Sequence, residues 1–118
     1  MISLEKPVSE KLLLSTLRAK DQLIINTKNS EYKFEVTDPI HYRGILSGGQ
    51  LGNKGCRAAL LCTTESSLEP VNNKSIKTNA KALFLVELNT TSTHLCTSPI
   101  TNLKLIRDID SWKDFLEE

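Results

Sequence analysis

The chain is expected to be mainly β, a small antiparallel barrel or roll of about six to seven strands with short N- and C-terminal helices. Three observations predict this. Apolar runs of period two recur between residues 22 and 107, turn-forming residues separate them, and strands never alternate with helical stretches. The 118 residues suffice for one domain, 1–118, with a core that needs no staples. A hydrophobic fraction of 39% excludes disorder as the state of the whole chain.

The elements follow in order. Residues 8–18 place Val8 and Leu12, then Leu13 and Leu17, at i, i+4, with Glu10, Lys11 and Arg18 outside that stripe. This spacing predicts a short amphipathic helix, and Pro7 suits its first turn. From Asp21 the period becomes two. Strands are predicted at 22–27 and 31–37, the second with Tyr32, Phe34 and Val36 on one face and Glu31, Lys33 and Glu35 on the other. Lys28-Asn29-Ser30 supplies the turn of a hairpin, and Asp38-Pro39 ends it. A strand at 44–47 leads to Gly48, Gly49, Gly52 and Gly55.

The strand at 56–63 sets Cys56, Ala58, Leu60 and Cys62 against Arg57, Ala59, Leu61 and Thr63. Both faces are largely apolar, which predicts a central strand. Residues 64–75 form the longest polar stretch and read as a loop. Strands follow at 82–88, 93–97 and 100–106, with Ser98-Pro99 interrupting the last two. Ile109, Trp112, Phe115 and Leu116 then lie on one helical stripe, predicting a helix near 108–117 capped by Asp108 or Asp110.

Four segments, Thr27-Lys-Asn-Ser-Glu-Tyr32, Gly44-Ile-Leu-Ser-Gly-Gly49, Ile76 leading into Leu83-Phe84-Leu85, and Thr97-Ser-Pro-Ile100, are similar in order and spacing to those of a group of small uncharacterised bacterial proteins. The resemblance spans roughly residues 22–107 and implies a barrel but no activity. Asn79 stands where that pattern has a glycine turn, a substitution that asparagine's tolerance of left-handed backbone accommodates.

Candidate chemistry is sparse. The glycine cluster lacks the spacing of a phosphate-binding loop, since Lys54 precedes Gly55 and a strand follows. It reads as a wide connection whose glycines take positive φ. Three cysteines, Cys56, Cys62 and Cys96, without a C-x-x-C pair predict reduced packing thiols in a cytoplasmic protein. His94 and Cys96 share a strand face, and Cys56 or Cys62 across from them would complete three ligands, yet packing is the expected role and no metal is expected. For a thiol nucleophile, His94 backed by Glu87 is the best arrangement on offer, and no catalytic residue is assigned. Asp21, Glu31, Glu35 and Asp38 read as a solvated face.

With 15 Lys and Arg against 14 Asp and Glu, the net charge of +1 excludes binding driven by many phosphate contacts. Residues 18–57 carry a weak basic surplus, and the C-terminal stretch from Asp108 is acidic. No apolar run reaches the ~18 residues of a membrane-spanning helix, and no secretory leader is evident. The expectation is a non-catalytic binding module without cofactors or a membrane role. Its partner is another protein or its own copy, met through the sheet edge of an open barrel. A nucleic-acid module is the alternative, and a small-ligand or enzymatic site around His94 and the cysteines comes third. The candidate binding residues are Arg43, Gln50, Lys54 and Arg57.

Overall fold

The alternating segments all become strands. The computed structural model describes residues 2–8, 11–64 and 75–109. Its strands are β1 (Ile2–Val8), β2 (Lys11–Leu13), β3 (Gln22–Thr27), β4 (Glu31–Asp38), β5 (Arg43–Gly48), β6 (Cys56–Thr64), β7 (Ser75–Lys77), β8 (Lys81–Leu88) and β9 (Thr91–Ile109). Six of them form a closed antiparallel ring in the order β9-β3-β4-β5-β6-β8, with β8 pairing back onto β9. Closure removes the open-barrel edge expected from the sequence. Strand β1 lies outside the ring against β9, and β2 with β7 forms a separate two-stranded sheet.

Ring closure depends on the length of β9, which runs through Pro99 instead of ending there. Residues up to Pro99 pair with β8, and residues from Ile100 pair with β3. The β8–β9 register slips between Lys81 and Leu83. There the buried Thr97 hydroxyl accepts the Ala82 N–H at 3.0 Å and donates to the Ser98 carbonyl at 2.8 Å. Asn79, at φ +66, donates its N–H to the Ile100 carbonyl at 2.8 Å. A side-chain hydroxyl thus replaces a ladder bond where the strand changes neighbours. The Thr27–Tyr32 and Thr97–Ile100 segments also touch, through Asn29 Nδ2 donating to Ser98 Oγ at 3.3 Å. Both segments serve the backbone.

Inward-facing residues of the ring make one core. Phe34 and Phe84, both fully buried, meet with ring centroids 5.5 Å apart, among Leu23, Ile25, Leu46, Leu60, Val86, Ile100 and Leu103. Leu14, Leu17 and Ile76 add to it from the β2–β7 side.

Neither terminal helix forms within the described residues. The 8–18 segment instead contains the end of β1, the short β2 and a single 3-10 turn at Leu14–Thr16. Ile2–Val8 pairs in register with Leu103–Ile109 and Lys11–Leu13 with Ser75–Lys77, so sheet hydrogen bonding prevails over a helical spacing too short to stand alone. Pro7 is accommodated because β1 is an edge strand. At the other end, Asp108 and Ile109 are strand residues, paired with Ser3 and Ile2. The rest of the expected helix lies outside the described residues, as do 65–74 of the expected loop.

Asp21 also departs from its expected place. It does not belong to a solvated face: it is 1% exposed and receives the Arg107 guanidinium at two points, Nε at 3.0 Å and Nη2 at 2.9 Å. The Arg18 N–H donates to it as well, at 2.8 Å, and Arg107 reaches on to the Thr16 carbonyl at 3.1 Å. One carboxylate therefore ties the 3-10 turn and the start of β3 to the end of β9.

The β5–β6 connection uses its glycines for shape, as expected. Gly48, Gly49 and Gly52 have φ of +94, +50 and +70. At Gly49 a Cβ would stand 2.3 Å from the ring of the buried Tyr32. Gly49→Ala is expected to destabilise by about 1–3 kcal/mol, combining positive φ with overpacking. Chemical denaturation would measure it, and a loss below about 0.5 kcal/mol, the range of neutral surface changes, would refute the steric argument.

Candidate functional site

Residues that alternate with the core along β5, β6 and β8 face outward, and their sizes create a hollow. Register places Arg43 beside Ala59, Ala59 beside Leu85, and Leu85 beside His94, while Ile45 pairs with Arg57 one row away. Ala59 is small between two long neighbours, which leaves the row shallow at β6. The result is a groove of about 450 Å³ lined by Thr37, Asp38, Arg43, Gly44, Ile45, Arg57, Ala58, Ala59, Leu85 and Glu87.

Its chemistry is mixed. Ile45, Ala59 and Leu85 form an apolar floor, and Ile45 keeps 38% of its surface exposed. Arg43 and Arg57 are exposed at this floor, and among the described residues neither guanidinium has a hydrogen-bond or ion-pair partner. The Glu87 carboxylate is likewise unpaired among those residues. Asp38 is engaged by His41, whose Nδ1 lies 2.8 Å from Oδ2. That side-chain hydrogen bond holds the Asp38 carboxyl below its ordinary 3.8. A depressed carboxylate favours its ionised form, so whatever the pair contributes is present above the ordinary value and fades as pH falls through the lowered one. NMR titration of the Asp38 carboxyl should give a midpoint below 3.8, moving upward in His41→Ala. A wild-type midpoint at or above 3.8 would contradict the hydrogen bond.

Of the four binding residues expected from the sequence, the structure brings Arg43 and Arg57 into this groove. Gln50 and Lys54 are exposed on the β5–β6 connection and do not line it. The basic surplus of residues 18–57 carried the signal for Arg43, and alternation along β6 carried it for Arg57. Asp38, Ile45, Leu85 and Glu87 were not singled out as binding residues, because only strand order shows that β4 and β8 flank the β5–β6 pair.

The cysteine and histidine candidates separate. Cys56 packs against the core, and burial pushes its thiol up, which disfavours the thiolate. His94 and Cys96 are exposed on the outer face. Cys62 stands in register with Leu83, which pairs in turn with Cys96. Two strand spacings, about 9–10 Å, separate those backbone positions, beyond the Cα separation a disulfide spans. Glu87 pairs with Ser92 and His94 with Leu85, so these two are diagonal neighbours that make no hydrogen bond among the described residues. Among those residues no three His, Cys, Asp or Glu side chains gather as a metal site, and no helix is long and apolar enough to cross a membrane. No protein-family model, curated protein or solved structure matches the chain.

Proposed function

We propose that the protein is a recognition module that holds a segment of another protein in the outer-face groove of β4, β5, β6 and β8. The observation that carries this reading is the pair Arg43 and Arg57, two guanidiniums without partners among the described residues, standing over the apolar floor of Ile45, Ala59 and Leu85. Arginine is the side chain suited to gripping a carboxylate at two points, and an apolar floor rewards a neighbouring aliphatic or aromatic residue. Glu87 adds a place for a cation on the same segment. A protein segment supplies all three features side by side. Nucleic-acid binding draws less support, because Tyr32 and Phe34 are buried in the core and unavailable for base stacking.

Panning a random-peptide library on the intact protein tests the reading. Selected peptides should share an acidic residue next to an apolar one and bind less tightly as salt rises. Arg57→Glu should weaken them roughly tenfold or more, in the range of an interface arginine. Failure to select any peptide whose binding depends on Arg43 or Arg57 would overturn the proposal.

A further inference from the structure

We infer that His41 holds Asp38 away from Arg43, so that the groove meets a bound segment with two open guanidiniums and selects two carboxylates on it. The inference rests on the recognition reading of the groove and adds a positioning residue and the spacing of the ligand's charges. Strand β4 slips against β5 between Val36 and Asp38, which sets Asp38 opposite Arg43 where Thr37 would otherwise stand. Both residues line the groove. Opposite charges at facing positions of two strands ordinarily attract one another. Here they stay apart: Arg43 has no hydrogen-bond or ion-pair partner among the described residues, and Asp38 turns to its own connection. His41 engages both its oxygens, Oδ1 through the backbone N–H at 3.4 Å and Oδ2 through Nδ1 at 2.8 Å. An ionised carboxylate only accepts, so Nδ1 carries the proton.

The β4–β5 connection holds His41 where that contact needs it. Tyr42 follows at φ +55, a left-handed backbone that bulky residues seldom adopt. Its side chain packs on the core, and its carbonyl accepts the Leu60 N–H at 2.8 Å. His41 therefore sits between an anchored residue and the end of β4. The two side chains are 65% and 42% exposed, so the contact biases Asp38 between two partners without locking it.

Register then sets the ligand. Arg43 faces Ala59 and Ile45 faces Arg57, which puts the arginines on one diagonal of the β5–β6 pair and the apolar residues on the other. Diagonal neighbours stand about 7–8 Å apart. Alternate side chains of an extended segment share a face at nearly that spacing, about 6.6–6.8 Å. A segment with carboxylates at i and i+2 meets both arginines. Without His41, Asp38 takes Arg43, and one of those carboxylates loses its partner.

Phenylglyoxal, which modifies open guanidiniums, tests the hold on Asp38 without any ligand. Mass spectrometry of the modified full-length protein follows Arg43, with Arg57 as internal reference. His41→Ala should slow modification of Arg43 about threefold relative to Arg57, the size of an exposed ion pair. Adding Asp38→Asn should restore the wild-type rate, which damage to the turn alone would not allow. The peptide acetyl-Leu-Glu-Leu-Glu-Leu-amide, followed by NMR titration, tests the spacing. Glutamine in place of either glutamate should weaken its binding to the wild type. In His41→Ala one of those two replacements should lose its effect, and Asp38→Asn should bring it back.

An Arg43 rate indifferent to His41→Ala, or slowed without recovery in the double variant, would overturn the hold of His41 on Asp38. Failure of the peptide to bind the wild type would overturn the two-carboxylate spacing, and panning would still decide the recognition reading. Selected peptides that bind through Arg57 with a single acid would overturn the spacing and leave recognition standing.

Discussion

Arg107→Met is expected to lower the stability of the fold by about 3–5 kcal/mol, the usual loss when one partner of a buried ion pair is removed. Asp21 stays 1% exposed while losing both guanidinium contacts, and the Arg18 N–H alone cannot compensate a buried carboxylate. Arg107 is itself 16% exposed, so the cost falls mainly on the aspartate left behind. The contrast with a double replacement separates the two sides of the effect. Asp21→Leu together with Arg107→Met removes the charge along with its partner and should recover much of the loss. Urea unfolding of the two variants would measure this. A single-variant loss below about 1 kcal/mol, as for a surface pair, would show that the carboxylate is solvated after all. The pair joins the 3-10 turn to the end of β9, so hydrogen exchange should accelerate first at Leu14–Leu17 in Arg107→Met.

Phe84→Ala is expected to cost about 3–5 kcal/mol, the range for deleting a large buried aromatic. Phe84 is fully buried on β8, which pairs with both β6 and β9, and its ring packs on Phe34 of β4 across the interior. A barrel wall cannot close over a lost ring without moving several strands, so most of the cavity should persist. Phe34→Ala should cost a similar amount, and the double variant should lose less than the two single losses combined, because the rings share a contact. Chemical denaturation of the three variants would check this. Strict additivity would mean that the ring contact contributes nothing of its own.

Period two was the feature of the chain most easily read, because a barrel wall buries every second residue and little else disturbs the pattern. Tyr32, Phe34 and Val36 are buried against the partly or fully exposed Glu31, Lys33 and Glu35, as the alternation of β4 implies. The same alternation puts Arg57 outside the core, whereas Arg43 precedes the strand expected at 44–47 and joins β5 through its pairing with Ala59. It failed where the ladder slips. Counting by twos along β6 puts Cys62 on the face of Leu60, yet a bulge between Leu60 and Cys62 sets Cys62 beside Leu83 and Thr63 beside the buried Ala82. A bulge inserts one residue without altering local composition, so it leaves no trace in the pattern.

The N-terminal segment differs for a related reason. Val8, Leu12, Leu13 and Leu17 fit one helical face, but Val8 ends the β1 ladder on β9 and Lys11–Leu13 pairs with Ser75–Lys77, rewards that exist only once β9 and β7 are in place. Asp21 likewise sits at a turn in the sequence, and only Arg107, 86 residues away, makes its burial tolerable.

By itself, then, the sequence determined the class of fold, the positions of the β3–β4 hairpin and the glycine connection, and which residues of most strands face inward. Those properties depend on neighbours a few positions apart. The tertiary structure decided the rest: closure through the nineteen-residue β9, the pairing of β1 outside the ring, the buried Asp21–Arg107 link, and the groove at Arg43 and Arg57. Each of these depends on which strands become neighbours. Strand order is a long-range choice, made by the balance of loop entropy against packing over the whole ring, and no local pattern records it.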